Sequence, residues 1–313
     1  MFVLLATLNA ILPSFVLMFC GWIVRRTHLV SENFLTETGR IVFYLALPTL
    51  VVLKFYEVDT TQALPMMSLV ICAAATTSFC IIAWIVARTV GKTSADIGAL
   101  FQGSTRTNFA VIGLYLIQSM FGHEGLLNAT LFLVVTIPIN NISSVVSLSY
   151  YEATTGPRKK SQWKDILLNP MILSLAFLPI IWFKPNIPDF LLRALHDVAS
   201  LSLPLALIAI GSSIRFSSLK DHLKLGGIGL FMKLVAMPAF VVGISLIFGI
   251  RGLDLVSIAL FSATPTATAS DILAKRYKSN VSLTGWMIAA TTLGSLITLP
   301  LIITALRVMH LIP

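Results

Sequence analysis

The chain has 313 residues, of which 57% are hydrophobic and only 11% are charged. Soluble domains usually carry about 25% charged residues, so this composition excludes an ordinary soluble protein and indicates a chain whose solvent is lipid. The net charge of +9 comes from dispersed Lys and Arg residues, which is typical of the cytoplasmic loops of membrane proteins and argues against a nucleic-acid partner.

Ten apolar stretches are long enough to cross a bilayer, for which about 17–25 residues are needed. They predict an all-α polytopic membrane protein with ten transmembrane helices. The first stretch is interpreted as a retained helix and not a signal peptide, because Arg25 and Arg26 follow its apolar residues instead of preceding them. The predicted helices lie at 3–24, 38–54, 66–88, 95–120, 127–150, 164–183, 192–214, 225–249, 254–274 and 282–309.

Basic residues alternate between the connections of these helices. One side of the membrane receives 5 Lys and Arg and the other 15, while Arg106 and Lys233 fall inside predicted helices. Because Lys and Arg accumulate on the cytoplasmic side, both termini are predicted to lie on the non-cytoplasmic side of the plasma (inner) membrane. The longest polar connection, 151–163, is predicted to be a cytoplasmic linker.

The two halves of the chain resemble each other in sequence. The triplet Ala99–Phe101 recurs as Ala259–Phe261 at an offset of 160. This match, with others at a similar offset, predicts two five-helix repeats, at 1–150 and 164–313. Since five is an odd number, the second repeat must be inserted upside down, and inverted repeats are a feature of secondary transporters that work by alternating access.

Predicted helices 4 and 9 carry polar runs, at 102–108 and 262–271, close to the bilayer midplane. Gly, Pro and several hydroxyl residues indicate unwound backbone, which lipid tolerates only where it lines a cavity or binds a substrate. The ends of broken helices suit an anion. A proline kink with hydroxyls bonded to the preceding turn is the alternative for either helix alone. Because both repeats have the run at the same place, we predict a binding site.

Arg106 is the most informative single residue. A charge at the centre of a transmembrane helix costs about 2.5–3.5 kcal/mol, and a guanidinium binds a carboxylate through two parallel hydrogen bonds. Arg106 is therefore predicted to bind an anionic substrate, with a structural ion pair as the alternative. Asn140 and Asn141 either line the cavity or bond between helices. The remaining predicted substrate-binding residues are Thr107, Asn108, Pro265, Thr266 and Thr268.

Lys233 and Asp271 are the other two charges placed deep in predicted helices. Both fall in the cytoplasmic half of the membrane within a turn of equal depth, so they are predicted to form an ion pair that leaves Arg106 free. Either residue is also a candidate for coupling transport to a proton or another cation. The alternative for Lys233 is an ammonium group that reaches the membrane surface along its own aliphatic chain.

Features of enzymes are missing from the sequence. The five His residues show no metal-ligand spacing, and no carboxylate pair, nucleophile elbow or phosphate-binding loop occurs. We therefore predict that the chain is not an enzyme, has no catalytic residue, metal or cofactor, and does not drive transport with ATP.

Seven short stretches, by their order and spacing along the chain, carry a family resemblance: Arg106–Phe109, Ile112–Leu114, Phe121–Gly122, Glu124–Gly125, Ile137–Asn141, Lys233–Pro238 and Ala263–Ala267. Together they resemble the auxin efflux carrier family, which includes plant auxin carriers and bacterial malate and malonate permeases. The chain is similar to the compact bacterial type and lacks the long cytoplasmic loop of many plant members.

The resemblance implies a scaffold of helices 1, 2, 6 and 7 and a moving transport domain of helices 3–5 and 8–10. It also implies that broken helices 4 and 9 cross at the substrate site, and that two copies form a homodimer through the scaffold. Substrates vary within the family, so auxin is not carried over. The predicted function is secondary active transport of a small organic anion with a carboxylate group. A membrane-embedded anion sensor and a channel are the alternatives.

Overall fold

A computed structural model describes residues 2–58, 64–152, 162–214 and 222–313 of the chain. The described part is built from α-helices, and three π-helical turns interrupt or precede them. The α-helices are α1 (Phe2–Arg26), α2 (Glu32–Ile41), α3 (Leu47–Glu57), α4 (Met66–Val90), α5 (Ser94–Thr105), α6 (Leu114–Glu152), α7 (Gln162–Leu167), α8 (Pro170–Ala176), α9 (Leu178–Trp182), α10 (Asp189–Ser213), α11 (Leu223–Phe231), α12 (Met237–Ile247), α13 (Gly252–Ala263), α14 (Ser270–Arg276) and α15 (Val281–Val308).

Seven helical segments of the described residues are long and apolar enough to cross a membrane. Two shorter apolar segments, Pro170–Trp182 and Gly252–Ala263, accompany them. The all-helical, multi-pass architecture is thus confirmed, while the count of ten stays a prediction. One of the seven segments, Phe109–Tyr150, is interrupted at Gly122, whose φ of 63° and ψ of −149° are not helical. This interruption falls between predicted helices 4 and 5.

Two π-helical turns accommodate prolines inside membrane-spanning segments. Pro48 is the second residue of α3 and Pro238 the second residue of α12, and π-helical turns at Val42–Ala46 and Met232–Ala236 precede them. A proline cannot donate a backbone hydrogen bond, and its ring clashes with the carbonyl four residues earlier in an α-helix. The wider π turn removes that clash and lets the segment continue.

The helices pack as two neighbouring groups. In the first group α1 lies along α10, and α3 packs on α8 and α10. A methyl group added at Gly21 would overlap the backbone of Ile208, and one at Gly211 would overlap the backbone of Met18, so the two glycines allow α1 and α10 to touch. In the second group α4, α5, α6, α12, α13 and α15 pack against one another.

The middle of the chain is more irregular than the sequence predicts. The predicted helix 164–183 consists of three short helices, α7 to α9, because a proline lies in the first turn of each new helix: Pro170 is the first residue of α8 and Pro179 the second residue of α9. The predicted linker 151–163 overlaps the end of α6 and the start of α7, and its central residues 153–161 lie outside the described residues.

Candidate functional site

Two helices of equal length end where the polar runs were predicted. Both α5 and α13 have 12 residues, and extended backbone follows each of them. The two extended segments pair in antiparallel fashion at Thr107 and Thr266. Asn108 donates its backbone N–H to the Pro265 carbonyl at 2.9 Å, so part of the unwound backbone is hydrogen-bonded across the crossing.

Arg106 lies in this crossing, directly after α5. Its side chain is only 6% exposed, and its backbone carbonyl accepts a hydrogen bond from Ala267 at 3.4 Å. The guanidinium donates from Nη2 to Oδ1 of Asn141 at 3.2 Å, whereas Nη1 is buried and has no acceptor. Within the residues that the structure describes, no carboxylate forms an ion pair with Arg106, so the ion-pair alternative finds no partner there.

The neighbouring asparagines connect the crossing to α6. Asn141 Oδ1 accepts from Arg106 and also from Asn169 Nδ2 at 3.1 Å, while Asn140 Nδ2 donates to Oγ1 of Thr107 at 3.1 Å. Asn108 resembles Arg106 in one respect, because its side chain is 7% exposed and its Nδ2 has no acceptor. The crossing therefore holds two buried nitrogen donors without acceptors.

The second broken segment is held by α5 and α15. Thr266 is fully buried, donates its hydroxyl to the Gly103 carbonyl at 2.6 Å and donates its backbone N–H to Oγ1 of Thr291 at 3.0 Å. Thr268 is half-buried, and its carbonyl accepts from the backbone of Asp271 at 3.1 Å, in the turn before α14. Gln102 Nε2 donates to the first residue of α14.

Lys233 lies at the carbonyl end of α13. Its side chain is fully buried, and Nζ donates to the Ser262 carbonyl at 2.7 Å and contacts Sδ of Met237 at 3.3 Å. The carbonyls of the last turn of a helix lack intrahelical donors and carry partial negative charge, so an ammonium group is stabilised there. The alternative in which Lys233 reaches the membrane surface is wrong, because the side chain has no exposure.

The predicted ion pair between Lys233 and Asp271 is also wrong. Asp271 pairs with Lys275, one helical turn later in α14, at 2.5 Å, and its side chain is 34% exposed. The π-helical turn that contains Lys233 directs this side chain to α13 instead. An ion pair requires two side chains at a similar depth in the membrane, and the sequence predicts that depth. It does not predict toward which neighbouring helix each side chain points.

Three residues at the crossing were not among the predicted site residues: Gln102, Asn169 and Thr291. Gln102 belongs to the polar run of helix 4, which was the signal for it, and its Oε1 is buried without a donor. Asn169 caps the start of α8, where its Oδ1 accepts from the backbone of Met171, and its Nδ2 donates to Asn141. Thr291 lies within α15 with no local signal in the sequence.

A cavity of about 450 Å³ lies between α3 and α10 on one side and the segment of the chain around Gln118 on the other. Its lining is largely apolar, with polar groups from Tyr115, Gln118 and Ser119, and with Lys54 and His196. The cavity therefore separates the first group of helices from the segment that continues from the crossing.

The chain was compared with known families and proteins. The family described as "Membrane transport protein" matches residues 6–303. An uncharacterized transporter of Methanocaldococcus jannaschii is 24% identical over 303 residues, which cover 94% of this chain and 97% of the relative. An uncharacterized transporter of Methanothermobacter thermautotrophicus is 25% identical over 304 residues, which cover 96% of this chain and 98% of the relative.

Apolar spanning helices with an interrupted, polar crossing and a match to transport proteins over nearly the whole chain define a membrane transport protein and not an enzyme. The chain belongs to the membrane transport protein family that contains the auxin efflux carriers, so the resemblance noted from its motifs is confirmed.

Proposed function

We propose that the protein is a secondary transporter of a small organic anion that carries a carboxylate group. The observation that supports this most is Arg106, a buried guanidinium whose Nη1 has no acceptor among the described residues. Burying such a donor costs about 1–3 kcal/mol, and more for a charged group, so the site is completed by an acceptor from outside the chain. A carboxylate supplies acceptors with the geometry that guanidinium prefers.

The surrounding residues fit the same ligand. Asn108 Nδ2, also buried without an acceptor, supplies a second donor for the anion. Asn140 and Asn141 orient Thr107 and Arg106 by hydrogen bonds, and Pro265 and Thr266 pair with the same segment from the other side of the crossing. Thr268 follows in that second segment and is proposed to contact the anion from there. Of the two candidates for coupling to a proton or another cation, Asp271 reaches solvent and Lys233 is held by a helix end.

The proposal includes ten transmembrane helices in two inverted repeats, at 1–150 and 164–313. Two features of the structure support the repeats. The third residue of α5 is Asp96 and the third residue of α13 is Asp254. Asn280 Nδ2 donates to Asp96 Oδ1 at 2.8 Å, and Asn128 Nδ2 donates to Asp254 Oδ1 at 2.8 Å. The same contact thus ties the beginning of each interrupted helix to another helix of the opposite repeat.

In this arrangement, α1, α3 and α10 with their neighbours form a scaffold, and the interrupted helices move against it in alternating access. Two copies are proposed to form a homodimer through the scaffold, in the plasma (inner) membrane, with both termini on the non-cytoplasmic side. The exposed apolar side chains of α1 and α4, such as Phe19 and Ile81, fit a surface in contact with lipid.

The proposal is tested by uptake and counterflow of labelled mono- and dicarboxylates in proteoliposomes. We expect saturable flux from the unaltered chain and, for Arg106→Gln, a concentration at half-maximal uptake that is about tenfold to a hundredfold higher, as expected when a charged hydrogen bond is removed. Arg106→Lys should be intermediate, because it keeps the charge but not the planar fork. Arg193→Gln, an exposed arginine of α10, is the matched control.

The outcomes separate the alternatives. Equal flux in Arg106→Gln and in the control would remove Arg106 from the substrate site. Absence of flux for every carboxylate, with folded protein, would leave the anion sensor, which binds its ligand without moving it. A conductance that does not saturate and shows no counterflow would indicate a channel.

A further inference from the structure

Three titratable side chains contact Glu57, the last residue of α3, and form a cluster of four with it. Lys54 Nζ lies 2.7 Å from Oε2 of Glu57. The two histidines contact different carboxylate oxygens, with Nε2 of His123 3.6 Å from Oε2 and Nε2 of His196 3.6 Å from Oε1. Glu57 is only 17% exposed, whereas His123 is 62% and His196 is 49% exposed, so the imidazoles lie at the surface while the carboxylate is largely covered.

The cluster joins three helices at one place. Glu57 and Lys54 belong to α3, His196 belongs to the second turn of α10, and His123 directly follows the interruption at Gly122. Lys54 and His196 also line the cavity of about 450 Å³ between these helices. The contact from His123 to Glu57 therefore connects the two walls of the cavity, the α6 segment on one side and α3 on the other, while the contact from His196 joins α10 to α3 on the same side.

The strength of this connection depends on the charge of the imidazoles. A nitrogen-to-oxygen distance of 3.6 Å is too long for a good neutral hydrogen bond, so uncharged histidines hold Glu57 weakly. A protonated histidine forms an ion pair with the carboxylate and shortens the contact. Histidine changes its charge between about pH 5 and pH 8, so the connection responds to the pH of the solution around it.

Other charged groups near the cluster do not replace the histidines. Lys184, in the connection before α10, donates to the backbone carbonyls of Tyr56 and Val58, so its charge lies at the end of α3. Glu124 and Asp197 are the sequence neighbours of the two histidines, and both side chains are exposed to solvent. Among the described residues, Lys54 is the ammonium group in contact with the Glu57 carboxylate, and the two imidazoles are its other titratable contacts.

We propose that Glu57, His123 and His196 form a proton-binding site that links the two walls of the cavity and stabilises the conformation described here. Protonated His123 holds the α6 segment to α3 in this conformation, in which Gln118 is exposed at the cavity, and protonated His196 holds α10 to α3. Proton release weakens both contacts and lets the cavity leave this open conformation. This inference rests on the proposed function in one respect, that α6 moves relative to α3 and α10. It assigns a second ligand, the proton, to a site away from Arg106.

The site is tested with a conformational measurement that needs no substrate. Gln118 lines the cavity and is exposed, so a cysteine placed there reports whether the cavity is open. Cys20 is replaced by Ser because it is exposed, while Cys72 and Cys80 are buried and can stay. The rate of alkylation of Gln118→Cys is measured in detergent at about pH 5.5 and about pH 7.5, on either side of the histidine titration.

The ratio of the two rates is compared between the Gln118→Cys protein and the same protein with His123→Gln/His196→Gln. This comparison cancels the pH dependence of the thiol itself. We expect the ratio of the rate at low pH to that at high pH to be about threefold to tenfold larger with the histidines present, the range expected for two partly exposed ion pairs. His222→Gln is the matched control, because that imidazole contacts Ser282 and lies outside the cluster.

Two outcomes would overturn the proposal. Equal ratios with and without the histidines would show that the cluster does not bias the conformation. A Glu57→Gln variant that keeps the full ratio would show that the histidines act without the carboxylate. Alkylation requires no transported anion, so the two proposals can fail separately. If no carboxylate is transported but the alkylation ratio depends on the histidines, the proton site stands and the carboxylate assignment fails. If carboxylates are transported but the ratio does not depend on the histidines, the carboxylate assignment stands and the proton site fails.

Discussion

Arg106 and Lys233 are both buried cations, yet the protein surrounds them differently. Lys233 is placed against a helix carbonyl end, where its charge is stabilised by a fixed dipole and by the Ser262 carbonyl at 2.7 Å. Arg106 has a neutral amide oxygen and a nitrogen without an acceptor. The two residues therefore differ in their contacts: Lys233 is bound to the end of α13, whereas one nitrogen of Arg106 has no acceptor among the described residues, which is the basis for proposing that it binds the anion.

A double-mutant cycle tests the separation of Lys233 from Asp271. Because Asp271 pairs with Lys275 and Lys233 contacts Ser262, we expect the stability losses of Lys233→Met and Asp271→Asn to add within about 0.5 kcal/mol. Chemical unfolding in detergent provides the free energies of unfolding for the four proteins of the cycle. A coupling energy above about 1 kcal/mol would restore the ion pair that the sequence predicted.

Depth along a helix is readable from a sequence, but direction around it is less so. The predicted spans place Lys233 and Asp271 at a similar depth, and the predicted ion pair was based on this depth alone. The π-helical turn at Met232–Ala236 changes the number of residues per turn and rotates the side chains within it. Such a turn has no local sequence signal beyond the proline that follows, so the contact with Ser262 was not predictable.

At the scale of helices, polar residues at an apolar depth identified the interruptions. The run at 102–108 contains the break after α5, and the run at 262–271 contains the break after α13. Unwound backbone needs partners, and these come from the other broken segment and from hydroxyls, as in the bond from Thr266 to the Gly103 carbonyl. The pairing of Thr107 with Thr266 requires both segments at once, so neither run alone predicted it.

Uninterrupted helices were predicted best, because a long apolar stretch leaves few other structures possible in lipid. Predicted 66–88 is observed as Met66–Val90, and predicted 282–309 as Val281–Val308. The predicted helix 164–183 was least accurate, since Pro170 and Pro179 divide it into short pieces. Hydropathy records how apolar a stretch is, but not whether it forms one helix: α15 continues through Pro300, whereas the stretch with Pro170 and Pro179 is divided.

The contact between α1 and α10 offers a test at this scale. We expect Gly211→Val to destabilise the protein by about 1–3 kcal/mol, because its side chain would overlap the backbone of Met18 and force the helices apart. The measurement is thermal unfolding of the purified protein in detergent. Gly243→Val in α12 is the control, since an added Cβ there meets no atom within 4 Å. Equal losses for both variants would contradict close packing at Gly211.

For the whole molecule, the distribution of charge decides which way the protein lies in the membrane. The split of 15 basic residues against 5 predicts that the connection between α4 and α5 is cytoplasmic and that the connection between α9 and α10 is not. One residue in each connection can report on which side of the membrane that connection lies. These residues are Lys92 and Asn186, which are both exposed and lie outside the helices.

The orientation is tested by labelling Lys92→Cys and Asn186→Cys separately in cells, with Cys20 replaced by Ser. A membrane-impermeant maleimide should label Asn186→Cys on intact cells and label Lys92→Cys only after lysis, because the membrane separates the two positions. Equal labelling of both after lysis is the control for reactivity. The reverse pattern on intact cells would place the basic side outside and overturn the predicted orientation. Labelling of both positions on intact cells would contradict an odd number of crossings between them, so the ten-helix arrangement would have to be redrawn.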